Sequence, residues 1–231
     1  MIKGARFLLA GLLMAGFCSR ASAAATVTIS DGNPLDNVVV TDNGPGDTMA
    51  SLGAVYVRTN IGVWYLSISS AITKPLFGSA TQPVMDLLIQ ANSSAAGNLT
   101  FTFSDSGFGP ATGTLTSKGD GHLVDGGAST TLAYDVYGDA GNAVYAGGPL
   151  PAGPPITHIA AAPMPLFSTD SGVLLLPAPF SLTQVITFSA SGATGFSADG
   201  SFSFTPVPEP SLLGLGCLGL VAGGLRFFRR K

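Results

Sequence analysis

Short segments in which apolar and polar residues alternate recur along most of this chain, and this alternation most constrains its fold. Residues 98–104 read NLTFTFS, so Leu99, Phe101 and Phe103 would share one face of a strand and the threonines the other. Gly, Asn, Asp and Ser bound such segments, which is typical of half-buried antiparallel strands joined by turns. The sequence therefore predicts an all-β protein.

Nine segments carry this strand pattern. They span residues 25–30, 54–58, 63–68, 85–90, 98–104, 112–116, 131–137, 184–189 and 200–204. Residues 84–91 are ambiguous between helix and strand, and no other stretch between 24 and 205 has convincing helical periodicity. Many short strands with Gly-rich turns favour an antiparallel β-sandwich or a jelly-roll-like fold. We therefore expect residues 24–205 to form one β-rich domain.

Two features interrupt or repeat the strand rhythm. Residues 148–180 hold eight of the 16 prolines, which predicts a long, partly extended crossing between two groups of strands. Residues 98–108 (NLTFTFSDSGF) resemble residues 185–196 (VITFSASGATGF). Two hairpins of similar build, or a duplication, would explain this repeat.

The charges are distributed unevenly along the chain. Between residues 24 and 206, three basic residues face twelve Asp and no Glu, a formal charge of −9, whereas the whole chain carries −3. Nucleic-acid binding requires a basic surface, so an acidic domain of this kind excludes it. The two cysteines, Cys18 and Cys217, lie outside residues 24–205, so no disulfide is expected to hold the domain together.

The N-terminus has the three parts of a secretory signal peptide. Lys3 and Arg6 precede an apolar run at residues 7–17, and small residues suited to cleavage follow, namely Ala21, Ala23 and Ala24. A helix of this length reaches about 16 Å and is too short for a hydrocarbon core of about 30 Å. We expect signal peptidase to remove residues 1–23, with cleavage after Ala25 as the alternative.

The C-terminal residues 206–231 predict a short membrane anchor. The tetrapeptide Val207, Pro208, Glu209 and Pro210 precedes fifteen apolar residues at 211–225, which would form a helix of about 22 Å. A basic cluster follows, formed by Arg226, Arg229, Arg230 and Lys231. Basic residues at one end of a span favour the cytoplasmic side, so the domain would lie outside the cytoplasm.

This tail resembles the PEP-CTERM sorting signal of Gram-negative bacteria that produce exopolysaccharide. The resemblance rests on Pro208-Glu209-Pro210, the short apolar helix and the terminal basic cluster, in that order. It implies recognition by an exosortase, processing near the tripeptide, and transfer to the cell surface or the extracellular matrix. The tail type has also been called an ice-binding protein C-terminal domain, which denotes no activity. Glu209 is the only Glu in the chain and is a candidate recognition contact.

The sequence offers little catalytic chemistry. His122 and His158 are the only histidines, and no nucleophile elbow, zinc-protease motif or phosphate-binding loop is present. Asp120, His122 and Asp125 cluster in the segment KGDGHLVDGG, which predicts a solvated turn between strands rather than a catalytic or metal site. We therefore predict no catalytic residues and no enzyme activity.

Calcium is the one ligand ion that the sequence suggests. Four aspartates lie in two turn-forming segments, namely Asp31, Asp36, Asp42 and Asp47. Carboxylates and turn carbonyls are the ligands that Ca²⁺ prefers, although Asp is also favoured in turns for backbone reasons alone. No other cofactor is expected. Thr112, Thr114 and Thr116 would form the polar face of one strand, since a single short row is far less than an ice-binding array.

These observations favour an exported, non-enzymatic surface or matrix protein, structural or adhesive in exopolysaccharide or biofilm. It would be anchored transiently in the inner membrane through its C-terminal helix. The first alternative is a carbohydrate-binding β-sandwich, with or without assistance from Ca²⁺, and the second is a hydrolase of matrix polysaccharide.

Overall fold

A computed structural model describes residues 25–125, 128–148, 150–151 and 153–207, and these residues form a β-sandwich. Thirteen strands within the described ranges assemble into a six-stranded and a seven-stranded sheet, both antiparallel. The predicted antiparallel sandwich is therefore confirmed. The predicted signal peptide and transmembrane helix lie outside the described residues. Within the described ranges, no helix is long and apolar enough to cross a membrane.

The strands follow one another closely along the chain. In order they are β1 (Thr26–Ser30), β2 (Val38–Thr41), β3 (Ala54–Tyr56), β4 (Thr59–Ile61), β5 (Trp64–Ile72), β6 (Val84–Ser93), β7 (Gly97–Phe108), β8 (Ala111–Asp125), β9 (Thr130–Asp139), β10 (Thr157–Pro163), β11 (Leu166–Leu176), β12 (Phe180–Ala190) and β13 (Thr194–Pro206). The six-stranded sheet has the order β10-β9-β12-β7-β1-β2. The seven-stranded sheet has the order β11-β8-β13-β6-β5-β3, with β4 paired to β5.

All nine predicted segments overlap strands, and the ambiguous residues 84–91 lie in β6. Four strands were not predicted: β2, β4, β10 and β11. Two of them, β10 and β11, lie within the proline-rich residues 148–180. This segment crosses between the sheets as expected, but it also supplies one edge strand to each sheet. Proline is tolerated there because an edge strand leaves one side of its backbone without a ladder partner.

The internal repeat does not form two hairpins. The first copy lies entirely in β7 of the six-stranded sheet, whereas the second runs from β12 of that sheet into β13 of the seven-stranded sheet. β7 pairs with β12 in one sheet, and β8 pairs with β13 in the other. The two strands that carry the repeat, β7 and β12, therefore lie beside each other and run antiparallel.

Aromatic side chains fill the space between the sheets. Trp64 is 1% exposed and donates its indole N–H to the carbonyl of Asn98 at 2.8 Å, joining β5 to the opposite sheet. Its ring meets Phe196 edge to face at 5.8 Å, and Phe196 lies 4.1 Å from Phe188. Such contacts add to the burial of apolar area, so Trp64 connects both layers of the core.

The two outer faces differ in exposure. On the six-stranded sheet, residues 140–148 pack over polar side chains: the N–H of Tyr145 donates to Ser104 Oγ at 3.0 Å, and Ser181 Oγ donates to the carbonyl of Ala143 at 2.6 Å. Ser104 and Ser181 are fully buried as a result. The outer face of the seven-stranded sheet carries exposed polar residues on β5, β6 and β8. We call this outer face of the seven-stranded sheet the open face.

Candidate functional site

A row of one aromatic and two amide side chains lies at one end of the open face. Tyr65 of β5 stands directly opposite Asn60 of β4 on one side and Asn92 of β6 on the other. Because side chains alternate along β5, Trp64 and Leu66 point into the core and Tyr65 points outward. Tyr65 is 38% exposed, and the guanidinium of Arg58 lies 5.9 Å from its ring centroid. We call these three residues the Tyr65 row.

Two clefts flank the Tyr65 row. The larger, of about 330 Å³, is lined by all three residues of the row together with Gly62, Trp64 and Ser94, among others. The smaller, of about 210 Å³, is lined by Asn92, Asp125 and Thr194 among others. Both include Asn92 and Ser93, so they adjoin. The Asn92 amide therefore lies where a ligand occupying both clefts would pass.

Gly195 leaves room for this amide. Gly195 of β13 stands opposite Asn92, and a Cβ at Gly195 would lie 2.5 Å from the Oδ1 atom of Asn92. A Cβ atom does not approach another atom that closely, so any residue with a Cβ would displace the amide. The position of the Asn92 side chain thus depends on a glycine in the neighbouring strand.

A group of carboxylates lies further along the same face. Asp199 of β13 stands opposite Asp120 of β8, and Asp86 of β6 lies on the other side of β13. Partial burial raises the pKa of Asp199 to about 6, and the charges of Asp86 and Asp120 add to the effect. Burial also raises the pKa of Asp86. Asp86 and Lys118 line a third cleft of about 190 Å³, at whose edge Phe77 is 46% exposed.

The predicted turn at Asp120, His122 and Asp125 is wrong, because these residues belong to β8. The glycines that suggested a turn point inward instead. A Cβ at Gly119 would lie 3.2 Å from Ile159, and one at Gly121 would lie 3.0 Å from both Leu132 and Met164. Glycine is present because the core approaches β8 closely, and Asp120 and His122 are thereby placed on the open face.

The four aspartates predicted as calcium ligands accept hydrogen bonds from backbone or side-chain N–H groups in or beside their turns. Asp31 accepts the N–H of Asn33 at 2.9 Å, and Asp36 accepts the side-chain amide of Asn33 at 2.6 Å. Asp42 accepts the N–H of Gly53, and Asp47 accepts the N–H groups of Met49 and Tyr56. Among the described residues, no three His, Cys, Asp or Glu side chains are grouped to hold a metal ion. Calcium binding stays a prediction.

Two other residue sets singled out by the sequence lie away from the Tyr65 row. Thr112 and Thr114 are exposed on β8, which confirms a polar strand face, and their neighbours on β11 are Leu175 and Val173 rather than further threonines. His158 lies on the six-stranded sheet, where its Nδ1 atom is 2.5 Å from Oδ1 of Asp135.

The Tyr65 row was not predicted from the sequence. Its signal is the string TNIGVWY, in which Gly62 takes a positive φ of 51° between β4 and β5. A glycine turn flanked by apolar residues predicts a hairpin. That hairpin places Asn60 opposite Tyr65, but the pairing with Asn92 depends on a strand nearly thirty residues away.

The fold and this face define a class: a two-sheet antiparallel β-sandwich whose seven-stranded sheet carries an exposed row of one aromatic and two amide side chains. No known protein family and no curated protein matches the chain. Similar solved structures include the CBM22-1 xylan-binding domain of Paenibacillus barcinonensis Xyn10C, with 13% identity and a TM-score of 0.32, covering 71% of this chain and 90% of that one. A second is TmCBM61 in complex with β-1,4-galactotriose, with 6% identity and a TM-score of 0.31, covering 62% of this chain and 88% of that one. A third is the enzymatically active domain of the bacteriophage CBA120 tailspike protein 4, with 12% identity and a TM-score of 0.31, covering 63% of this chain and 20% of that one. The chain thus spans a fifth of the tailspike structure, and at these TM-scores no functional argument rests on the likeness.

Proposed function

We propose that this protein binds carbohydrate on the open face of the seven-stranded sheet, at the Tyr65 row. The observation that carries the proposal is the placement of Tyr65 directly between Asn60 and Asn92, with a cleft on either side of Asn92. The proposal concerns binding and assigns no catalytic residue.

The chemistry of the row suits a sugar ring. Each asparagine amide offers both hydrogen-bond donors and an acceptor, which matches hydroxyl groups that donate and accept. The Tyr65 ring provides a flat apolar surface for the C–H face of a sugar, and its hydroxyl is a polar handle. A concave site with a few placed polar groups is the usual form of a small-ligand site.

The electrostatics of the domain favour a neutral polysaccharide. Residues 24–206 carry a formal charge of −9, and Asp86, Asp120 and Asp199 lie on the same face as the Tyr65 row. A field of one sign repels polymers of the same sign. Carboxylates also accept hydrogen bonds from hydroxyl groups strongly. We therefore expect chains of neutral hexoses or pentoses rather than uronic acid polymers.

We also propose that the protein is exported and sorted as a non-enzymatic surface or matrix protein of a Gram-negative bacterium. The support is in the sequence: the signal peptide pattern at residues 1–23 and the PEP-CTERM resemblance of residues 206–231. Signal peptidase and an exosortase would process it. Binding of exopolysaccharide through the Tyr65 row would then hold the domain in the matrix.

The proposal is tested with the full chain on a glycan array, followed by titration calorimetry with the best ligand. Tyr65→Ala should weaken binding at least tenfold, which corresponds to about 1.4 kcal/mol. Tyr137→Ala is the matched control, because Tyr137 lies on the six-stranded sheet, and it should leave affinity unchanged. No binding to any neutral glycan, or equal effects of both variants, would contradict the proposal.

Two further arms distinguish the alternatives. Loss of binding in EDTA would assign a role to calcium. Its candidate ligands would then be the turn residues Asp31, Asp36, Asp42 and Asp47. Release of soluble sugar from a polysaccharide panel would identify a hydrolase and overturn the non-enzymatic assignment.

A further inference from the structure

A lysine and an aspartate from opposite sheets are buried against one another. Lys74 follows β5 of the seven-stranded sheet, and Asp105 lies in β7 of the six-stranded sheet. The Nζ atom of Lys74 is 2.7 Å from Oδ2 of Asp105, and their side chains are 11% and 0% exposed. This is the only Lys–Asp ion pair within the described residues.

Aromatic rings enclose one side of the pair. Nζ of Lys74 lies 3.8 Å from the centroid of the Phe108 ring, and Phe108 stacks on Phe180 with centroids 5.6 Å apart. Both rings are almost fully buried. Water is therefore largely excluded from the Lys74 amine and the Asp105 carboxylate.

Hydrogen bonds hold the carboxylate in a fixed orientation. The N–H of Ser106 donates to Oδ1 of Asp105 at 2.7 Å. The hydroxyl of Thr73 donates to Oδ2 at 2.8 Å, so this oxygen faces both Thr73 and the Lys74 amine. Nζ also donates to the carbonyl of Ser106 at 2.5 Å. The two oxygens thus have different surroundings: one meets a backbone N–H, and the other meets two groups that can carry a proton.

Burial favours the neutral form of the Lys74 amine. It lowers the pKa of Lys74, although the charge of Asp105 opposes the change. In a dry environment, a proton can pass over the short distance from Nζ to Oδ2, which converts an ammonium and a carboxylate into an amine and a carboxylic acid. The amine then has a free electron pair close to the carboxyl carbon, as an activated lysine nucleophile requires.

We propose that Lys74 and Asp105 form an intramolecular isopeptide bond. The electron pair of Nζ forms a bond to Cγ of Asp105, and the negative charge that develops on Oδ1 is stabilised by the Ser106 N–H. The C–Oδ2 bond then breaks. Oδ2 leaves as water, carrying the proton it already holds and a second proton from Nζ, which the Thr73 hydroxyl can relay. The products are an amide and one water molecule, and no oxidant or co-reactant is needed.

The bond would replace the covalent support that this domain otherwise lacks. Residues 24–205 contain no cysteine, so no disulfide can join the sheets. An amide between Lys74 and Asp105 would tie the end of β5 to the centre of the opposite sheet. Because a cross-link restricts the unfolded chain, it would stabilise a domain exposed outside the cell.

Peptide mapping of the purified full chain by mass spectrometry tests the proposal. Trypsin cleaves poorly before proline, and Lys74 precedes Pro75, so residues 59–118 emerge as one peptide that contains both partners. The proposal expects this peptide to be lighter than its sequence by one water molecule. A second digest with chymotrypsin should give the Lys74 peptide joined to the peptide that carries Asp105. This joining separates the bond from a succinimide at Asp105-Ser106, which also loses water but joins nothing.

Lys74→Arg is the matched control, because it keeps the positive charge but removes the amine nucleophile. Asp105→Ala removes the acceptor. Both variants should give residues 59–118 at full mass and separate chymotryptic peptides. Full mass and separate peptides in the folded wild-type chain would overturn the proposal and leave an ordinary buried ion pair. Because this result comes from the wild type, it does not depend on whether the variants fold.

Discussion

Asp199 stands directly opposite Asp120 on adjacent strands of the open face, and Asp86 flanks the pair from the third strand. Like charges in neighbouring cross-strand positions repel each other. Partial burial, together with these charges, raises the pKa of Asp199 to about 6 from its usual 3.8. The fold therefore tolerates an unfavourable cluster of three carboxylates on the face that we propose to bind carbohydrate.

The first prediction concerns Asp199→Asn and pH. Between about pH 4 and pH 6 the folded chain keeps a proton that the unfolded chain loses, so the stability that Asp199 contributes falls as pH rises through this window. The amide should therefore raise the free energy of unfolding at pH 7.5, by about 1 kcal/mol after allowance for partial exposure, and give no gain at pH 3.5.

Urea denaturation at both pH values measures this effect. Asp36→Asn is the control for the loss of one negative charge, because Asp36 lies in an exposed turn away from Asp86, Asp120 and Asp199. If Asp199→Asn shifts stability equally at pH 3.5 and 7.5, the burial of an ionised Asp199 beside Asp86 and Asp120 is not the cause.

The second prediction concerns Gly195→Ala. The added methyl group would lie 2.5 Å from Oδ1 of Asn92, and because the amide is the flexible end of a side chain, it should swing away. We expect glycan affinity to fall about tenfold while the melting temperature changes little. Calorimetric titration with the ligand found for the wild type measures the loss. Unchanged affinity would show that Asn92 does not contact the sugar.

The third prediction concerns Trp64→Phe. The change removes the donor to the Asn98 carbonyl and leaves a cavity beside Phe196, so we expect a loss of about 2–3 kcal/mol in the free energy of unfolding. Circular dichroism must follow the unfolding, since Trp64 is the only tryptophan in the chain. Tyr65→Phe, one residue away on the exposed face, should change stability by less than about 0.5 kcal/mol. Similar losses in both variants would contradict the assigned roles.

The fourth prediction concerns Gly172→Ala in β11. A Cβ there would lie 1.8 Å from the carbonyl oxygen of Ile156, a backbone atom that cannot move aside freely. We expect a loss of about 1–3 kcal/mol and faster proteolysis within residues 148–180. Gly148→Ala is the matched control, because a Cβ at that position meets no atom within 4 Å. Equal proteolysis of the two variants would argue against this close contact.

The fifth prediction concerns sorting. A chain without residues 207–231 should lose its transient hold on the inner membrane and change its distribution between membrane, surface and medium, as measured by cell fractionation. Glu209→Ala should block processing if Glu209 is a recognition contact. Processing and export that are unaltered in the Glu209 variant would remove that role, and an unaltered distribution of the truncated chain would remove the sorting hypothesis.

The alternation of apolar and polar residues determined which segments became strands, because residues two positions apart on a strand point to the same face. NLTFTFS in β7 needed no tertiary information to be recognised. β11 escaped notice because its outward positions include the apolar Phe167, Val173 and Leu175, which obscure the alternation. The glycines of β8 suggested a turn because nothing local shows that Tyr134 and Leu132 press against that strand.

What only the tertiary structure decided is which residues became neighbours. Tyr65 acquires Asn92, Asp199 acquires Asp120, and Lys74 acquires Asp105 through pairings and packing between distant segments. Sequence spacing carries no record of strand register, since a shift by one residue would turn Tyr65, Asp199 or Asp105 to the opposite face of its sheet. Local sequence therefore determined the strands, whereas the pairing of strands and the packing of the two sheets determined the open face and the buried lysine–aspartate pair.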